Sequence, residues 1–114
     1  MVASFELEGE RFTALNGGSP PNGFKINGAI SFVIECENQE EVDYFWEKLG
    51  AGGETGQCGW INHDKFGVTW QVVPARLREL IGNDDPAIAE KTMNAMLKMT
   101  KIDIAKLEAA QKKQ

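Results

Sequence analysis

The sequence predicts an α+β fold, with strands and one helix in the first two-thirds of the chain and helices in the remainder. Two observations support this prediction. Runs rich in β-branched and aromatic residues cover residues 29–36 and recur after residue 55, and an apolar stripe at helical spacing separates them. Helix start and stop signals then follow Pro74. From residue 24 to 74 the predicted order is one strand, one helix, and two or three strands.

Length and composition suit one domain and exclude several classes of function. The chain has 114 residues, 42% hydrophobic, and a net charge of −5. Nucleic acid is not expected as a partner, because phosphate binding requires a basic face. No apolar run approaches the roughly 20 residues of a membrane helix, and the N-terminus does not resemble a signal peptide. Cys36 and Cys58 lie in no metal-binding spacing and fit free thiols in a reducing cytoplasm. We therefore expect a cytoplasmic protein that contacts no membrane.

The N-terminal segment predicts a β-hairpin. Residues Val2–Glu8 and Arg11–Asn16 each alternate imperfectly between apolar and polar side chains, and Gly9 lies between them. The following segment, Asn16–Gly23, consists of turn residues and includes two prolines, which cannot donate to a sheet. We interpret it as a linker or as a loop over a cleft.

The central segment predicts a strand, a helix and a hairpin. Residues Ala29–Cys36 predict a strand whose Ser31 side is small and partly polar. Asn38 is placed to cap a helix, with Glu41 at capping-box spacing and Gly50 at the helix end. The apolar stripe of this helix is Val42, Phe45, Trp46 and Leu49. Two further strands are expected near residues 55–61 and 67–73.

Three helices are predicted in the tail. The first covers Arg76–Ile81, and the second begins at Pro86 behind an Asp85 cap. The third covers about Ile102–Lys112. The apolar side of the second helix is expected to be Ile88, Met93, Met96 and Leu97.

Four segments carry a resemblance to a known family: FELEGERFTALNGG, FKINGAISFVIECENQEEVDYFWEKL, GQCGWINHDKFGVTWQVVP and MLKMTKIDIAKLEAA. Together they resemble the PhnB-like branch of the vicinal-oxygen-chelate superfamily, which includes glyoxalase I, extradiol dioxygenases and fosfomycin- and bleomycin-resistance proteins. Proteins of this branch are often described as 3-demethylubiquinone methyltransferases.

The resemblance implies a glyoxalase-like fold, in which two βαβββ modules curl around a cleft. We expect residues 1–114 to form one such domain. Within it, residues 1–18 would be a remnant β-hairpin (the last two strands of an incomplete first module), residues 24–74 the second βαβββ module, and residues 75–114 a C-terminal helical tail. The absent part of the first module should leave strand edges and an apolar sheet face uncovered. We therefore expect a homodimer, with strand pairing across subunits as one route to it.

The resemblance also locates a metal site and indicates that it is lost. Metal-binding relatives carry a pattern similar to D-x-x-G-x-x-x-E, in which Asp64 and Gly67 match but the glutamate falls on Gln71. The histidine of the first strand falls on about Ala29. Asn16 lies where the first module would place its own glutamate. A neutral amide offsets none of the charge of a dication, so we expect no metal and no cofactor.

The leading hypothesis is a protein that binds an unidentified small molecule in its sheet cleft without metal. The candidate cleft residues are Asn16, Ser31, Trp60, Thr69 and Gln71, with Trp60 as a stacking wall. Two alternatives remain open: a metal-dependent enzyme of the glyoxalase or dioxygenase type with ligands from a partner chain, or a structural dimerisation unit. Methyl transfer is not expected, because it usually requires a glycine-rich strand–turn–helix site on a parallel sheet.

Overall fold

The computed structural model describes residues 1–112, and within them it contains two sheets, four α-helices and a short 3-10 helix at Pro21–Gly23. The last two residues of the predicted tail, Lys113 and Gln114, lie outside the described residues. The strands are β1 (Val2–Leu7), β2 (Glu10–Leu15), β3 (Ser31–Cys36), β4 (Glu54–Thr55), β5 (Trp60–His63) and β6 (Thr69–Pro74). The helices are α1 (Gln39–Gly50), α2 (Ala75–Ile81), α3 (Pro86–Met96) and α4 (Ile104–Gln111). The predicted α+β class is confirmed.

Strands β1 and β2 form a two-stranded antiparallel hairpin, as the sequence predicts. Glu8 and Gly9 connect them with φ values of 50° and 81°. Two consecutive positive φ angles make the type of tight turn whose twist matches that of the flanking strands. Every residue from 1 to 20 is exposed, so the hairpin contributes nothing to the buried core.

The other four strands form a sheet in the order β3-β6-β5-β4, which leaves β3 at one edge. Strand β3 is parallel to β6, and the remaining pairs are antiparallel. Alternate residues of β3 point to opposite faces, and Ile34 and Cys36 point to the face that α1 covers. The fully buried residues of this core are Cys36, Val42, Ile61 and Val72.

The strand expected near residues 55–61 is divided in two by a turn. Cys58 and Gly59 both have positive φ, 58° and 82°, and therefore interrupt the extended backbone between β4 and β5. A side chain on Gly59 would also come within 2.8 Å of the Val72 carbonyl oxygen. The bend thus lets the start of β5 approach β6 closely.

Helix α1 begins as its sequence predicts. The Asn38 side chain accepts a hydrogen bond from the Glu41 backbone N–H at 2.9 Å. In turn, the Glu41 carboxylate accepts a hydrogen bond from the Glu37 backbone N–H at 3.3 Å. The helix ends at Gly50. Side-chain capping therefore fixes the start of the element that covers the sheet.

The helical tail has its own core, and two details of the prediction for it are wrong. Helix α4 begins at Ile104 behind an Asp103 cap, so Ile102 precedes it and is fully buried. Leu97, the residue that caps the end of α3, is 54% exposed, and Met93 is 36% exposed, although the sequence predicted both on the apolar side; Thr92 is buried instead. The Thr92 hydroxyl donates to the Ile88 carbonyl at 2.8 Å, which satisfies its polar group and allows this burial.

Backbone and side-chain hydrogen bonds fasten the tail to the sheet and to α1. The Cys58 N–H donates to the Met99 carbonyl oxygen at 2.8 Å. The Gln39 side-chain amide donates to the Ile102 carbonyl at 3.0 Å and accepts from the Ile104 N–H at 2.8 Å. Within residues 1–112, none of the helices has the length and apolar character needed to cross a membrane.

The two free thiols should differ strongly in reactivity. Cys36 is fully buried, and this burial, followed by the nearby Glu41 charge, raises its pKa to about 11. Cys58 is partly exposed. At pH 8 we expect a thiol reagent such as DTNB to label Cys58 readily and to reach Cys36 only on unfolding, because the thiolate is the reactive form. Rapid labelling of a folded Cys58→Ser variant would contradict this assignment.

Candidate functional site

Four of the five cleft residues proposed from the sequence share the sheet face opposite α1. Ser31 lies beside Thr69 in the parallel β3–β6 pair, and Trp60 lies opposite Gln71 in the antiparallel β5–β6 pair. Residues directly opposite each other in neighbouring strands project to the same side. The register therefore collects Ser31, Thr69, Gln71 and Trp60 on one surface, which we call the ligand face.

The central contact of this face is a hydrogen bond between two neutral side chains. The Gln71 Nε2 amide donates to Ser31 Oγ at 2.9 Å, and both residues are partly buried. In the part of the chain that the structure describes, the Gln71 amide oxygen accepts no hydrogen bond. The Ser31 hydroxyl also keeps its own proton to donate. The pair therefore offers one acceptor and one donor to a bound molecule.

Thr69 and Trp60 contribute differently to the face. Thr69 is only 3% exposed, its hydroxyl donates to the Asn62 carbonyl at 2.8 Å, and Gly28 lies close above its Oγ1 atom. Thr69 is therefore part of the supporting structure and offers little surface. Trp60 is partly exposed beside Gln71 and presents an aromatic surface.

Asn16 is not brought to the ligand face. It directly follows β2 in the other sheet, is exposed, and its backbone N–H donates to the Met1 carbonyl at 3.0 Å. The segment 16–30 separates it along the chain from Ser31.

Asp64 has a structural role that the sequence analysis missed. It is 8% exposed and accepts three hydrogen bonds on its carboxylate: from the Trp70 indole at 2.9 Å, the Phe66 N–H at 2.8 Å and the Val68 N–H at 2.9 Å. Burial alone would raise the pKa of this carboxyl, but the hydrogen bonds together hold the pKa below its usual value. In the sequence, this role is indicated by the position of Asp64 three residues before Gly67. Gly67 has a φ of 94°, a conformation that lets the backbone close the turn.

The residues present do not fit a divalent metal site. Among residues 1–112, no three His, Cys, Asp or Glu side chains lie close enough together to hold an ion. Gln71 brings a neutral amide, and the Asp64 carboxylate is occupied by hydrogen-bond donors. His63 is exposed, and its Nε2 atom lies 3.7 Å from the Glu54 carboxylate.

The connection from β3 to α1 also does not form a suitable binding loop for a nucleotide-like methyl donor. The connection from β3 to α1 is Glu37–Asn38, which contains no glycine and places an acid where an anionic group would approach. The four-stranded sheet is only partly parallel. These residues do not fit the strand–turn–helix site that such cofactors use.

Two concavities lie away from the ligand face. One, of about 600 Å³, is an open groove between α3 and α4 with three lysines at its rim: Lys91, Lys98 and Lys106. The other, of about 480 Å³, lies between the start of α1 and the α4 region and includes Arg76 and Glu108, which pair at 3.1 Å. No residue of the ligand face lines either of these two concavities.

Comparison with known proteins assigns the family. The family described as 3-demethylubiquinone-9 3-methyltransferase matches residues 1–73, which include the hairpin and nearly all of the four-stranded sheet. Among solved structures, the PhnB protein from Bacillus cereus is similar, with 32% identity and a TM-score of 0.59; the match covers 66% of this chain and 64% of that one. This chain thus spans less than two-thirds of that protein. A comparison with curated proteins gave no significant match. The resemblance stated from the sequence is confirmed: the chain belongs to the PhnB-type family described as 3-demethylubiquinone-9 3-methyltransferase.

Proposed function

We propose that the ligand face binds a small, uncharged molecule without the help of a metal ion. The observation that carries this proposal is the Gln71–Ser31 hydrogen bond beside Trp60. A glutamine and a serine that only filled space would be poor choices on a sheet face, where β-branched and aromatic residues pack better.

The chemistry of the face favours a particular class of ligand. The free amide oxygen of Gln71 would accept a hydrogen bond, and the Ser31 hydroxyl would donate one. The nearest charged residue on the same strand face is Glu35, which is neutralised by Arg78 at 3.1 Å. A flat ring that carries an amide or a carbonyl group would satisfy the polar pair and stack on the Trp60 indole.

The other candidate functions have less support. A glyoxalase- or dioxygenase-type reaction needs metal ligands that this face does not offer. Methyl transfer needs a cofactor cradle that the β3–α1 connection does not form. We therefore infer ligand binding. Any chemical step that follows would depend on the identity of the ligand.

A fragment screen by ¹H–¹⁵N NMR tests the proposal directly. We expect uncharged aromatic amides and lactams to shift the side-chain signals of Gln71 and Trp60. Gln71→Ala should weaken the best fragment by about fivefold, because one hydrogen bond to a neutral group contributes roughly 1 kcal/mol.

Gln57→Ala is the matched control, because Gln57 is an exposed glutamine in the turn before β5. It should leave the affinity unchanged. The ligand face would be rejected as the site if fragments shifted only signals of the lysine-rimmed groove between α3 and α4. Equal affinity of the best fragment for Gln71→Ala and Gln57→Ala would also reject it.

A further inference from the structure

The lysine-rimmed groove between α3 and α4 concentrates positive charge in an acidic protein. The whole chain has 17 acidic and 12 basic residues, yet the residues that line this groove include three lysines and no acid. Lys91 and Lys98 are seven residues apart, which places both on one side of α3 and its end. Lys106 lies in the first turn of α4. The two helices therefore bring their lysines to one region of the surface.

The three ammonium groups are available to an external anion. Within residues 1–112, every ion pair uses other cations, and Lys91, Lys98 and Lys106 take part in none. Glu108 is the acid of α4, and it pairs with Arg76 at 3.1 Å. Lys98 and Lys106 are exposed, and Lys91 is partly buried. An anion that enters the groove from solvent can therefore meet lysines from both helices.

The floor of the groove is apolar and consists mostly of short side chains. Ala95, Ala109 and Ala110 line it together with the flexible thioether side chain of Met99. An alanine has no side-chain atom beyond Cβ, so a ligand can lie close to the two helix backbones. Met99 can adapt its conformation to the ligand. Lysine stems pack along an apolar body and place the ammonium group at its charged end. The groove therefore suits a molecule with an apolar body and an anionic group.

We propose that the lysine-rimmed groove binds a small amphiphilic carboxylate, with its apolar body on the alanine floor and its carboxylate among the lysines. The groove volume of about 600 Å³ lies within the usual range for a small-molecule site. A docked acidic helix fits less well, because α4 has 8 residues and is only about 12 Å long. The match to the family ends at residue 73, so the groove lies beyond the matched residues. No residue of the ligand face lines it, so the two sites are separate.

Titration of the full chain with octanoate, followed by ¹H–¹⁵N NMR, tests the proposal. We expect octanoate at millimolar concentration to shift the backbone amide signals of Ala95, Ala109 and Ala110. The uncharged analogue 1-octanol should bind at least tenfold more weakly, because it cannot pair with the lysines. Lys98→Gln combined with Lys106→Gln should weaken octanoate binding by about tenfold, since two partly solvated ion pairs are lost. Arginine at both positions should restore the affinity.

Lys25→Gln combined with Lys65→Gln is the matched control, because it removes the same charge from two exposed lysines outside the groove. It should leave the affinity for octanoate unchanged, and so should Gln71→Ala. Both lysines replaced in the groove variant are exposed, so the variant should fold, and far-ultraviolet circular dichroism checks this.

Several outcomes would overturn the proposal. One is the absence of shifts at the groove, or shifts confined to the hairpin or to the ligand face. Others are equal affinity for octanoate and 1-octanol, or equal losses in the groove variant and the control. Binding of an acidic peptide but not of octanoate would also overturn it, in favour of a protein partner. Fragment binding at Gln71 without octanoate binding would reject the groove and leave the ligand face in place.

Discussion

Ile102→Ala is expected to lower the free energy of unfolding by about 2–5 kcal/mol, the usual range for removing a large aliphatic side chain from a core. Ile102 is fully buried and packs with Leu77, Leu80 and Leu107 in the core of the tail. Its side chain also lies against Gly59, where an added Cβ would be 3.0 Å from Ile102 Cγ1. The substitution therefore loosens the tail and the start of β5 together.

Urea unfolding followed by circular dichroism and by tryptophan fluorescence measures this effect. Leu97→Ala serves as the control, because it removes a similar volume from an exposed position and should change stability by less than about 0.5 kcal/mol. Equal losses for the two variants would mean that Ile102 does not join the tail to the sheet. If the tail unfolds first in Ile102→Ala, the two optical signals should no longer coincide.

Asp64→Ala is expected to cost about 3 kcal/mol. The change leaves the Trp70 indole N–H and the N–H groups of Phe66 and Val68 without their acceptor, and an unsatisfied buried donor costs about 1–3 kcal/mol. The turn between β5 and β6 should loosen as a result. Asp84→Ala is the control, since Asp84 is an exposed aspartate in the loop before α3.

The effect of Asp64 should depend on pH in a defined direction. Its pKa is lowered in the folded protein, so the carboxylate stabilises the fold above the unfolded pKa of about 3.9. This contribution is lost as the pH falls through the folded pKa. The stability difference between the wild type and Asp64→Ala should therefore be constant from pH 5 to 7 and should shrink below about pH 4. A difference that grows on acidification would contradict the assigned hydrogen bonds.

Local signals in the sequence were sufficient for most of the elements and for the grouping of Ser31, Trp60, Thr69 and Gln71 on one face. The Asn38 cap and the apolar stripe that follows it define α1, because capping and helical periodicity act within one turn. Strand alternation placed Gln71 on the face away from α1, because adjacent residues of a strand must point to opposite sides. For the same reason Ser31 and Gln71 could be grouped before their hydrogen bond was known.

Long-range contacts were not predictable in the same way. Ile102 is buried because it meets Gly59 across the fold, and no periodicity within the tail marks it. Thr69 is covered because the segment near Gly28 crosses over it, which depends on the path of a loop. Asn16 was grouped with the cleft through the family pattern, and the structure places it with the hairpin instead of the ligand face.

The central claim is that Gln71 marks a ligand face that works without metal. The most direct test is elemental analysis combined with native mass spectrometry of the chain purified without chelator. The result expected is well below one divalent ion per chain, in the wild type and in Gln71→Ala alike. About one ion per chain, lost when Gln71 is replaced by alanine, would contradict it and would favour a metal-dependent enzyme.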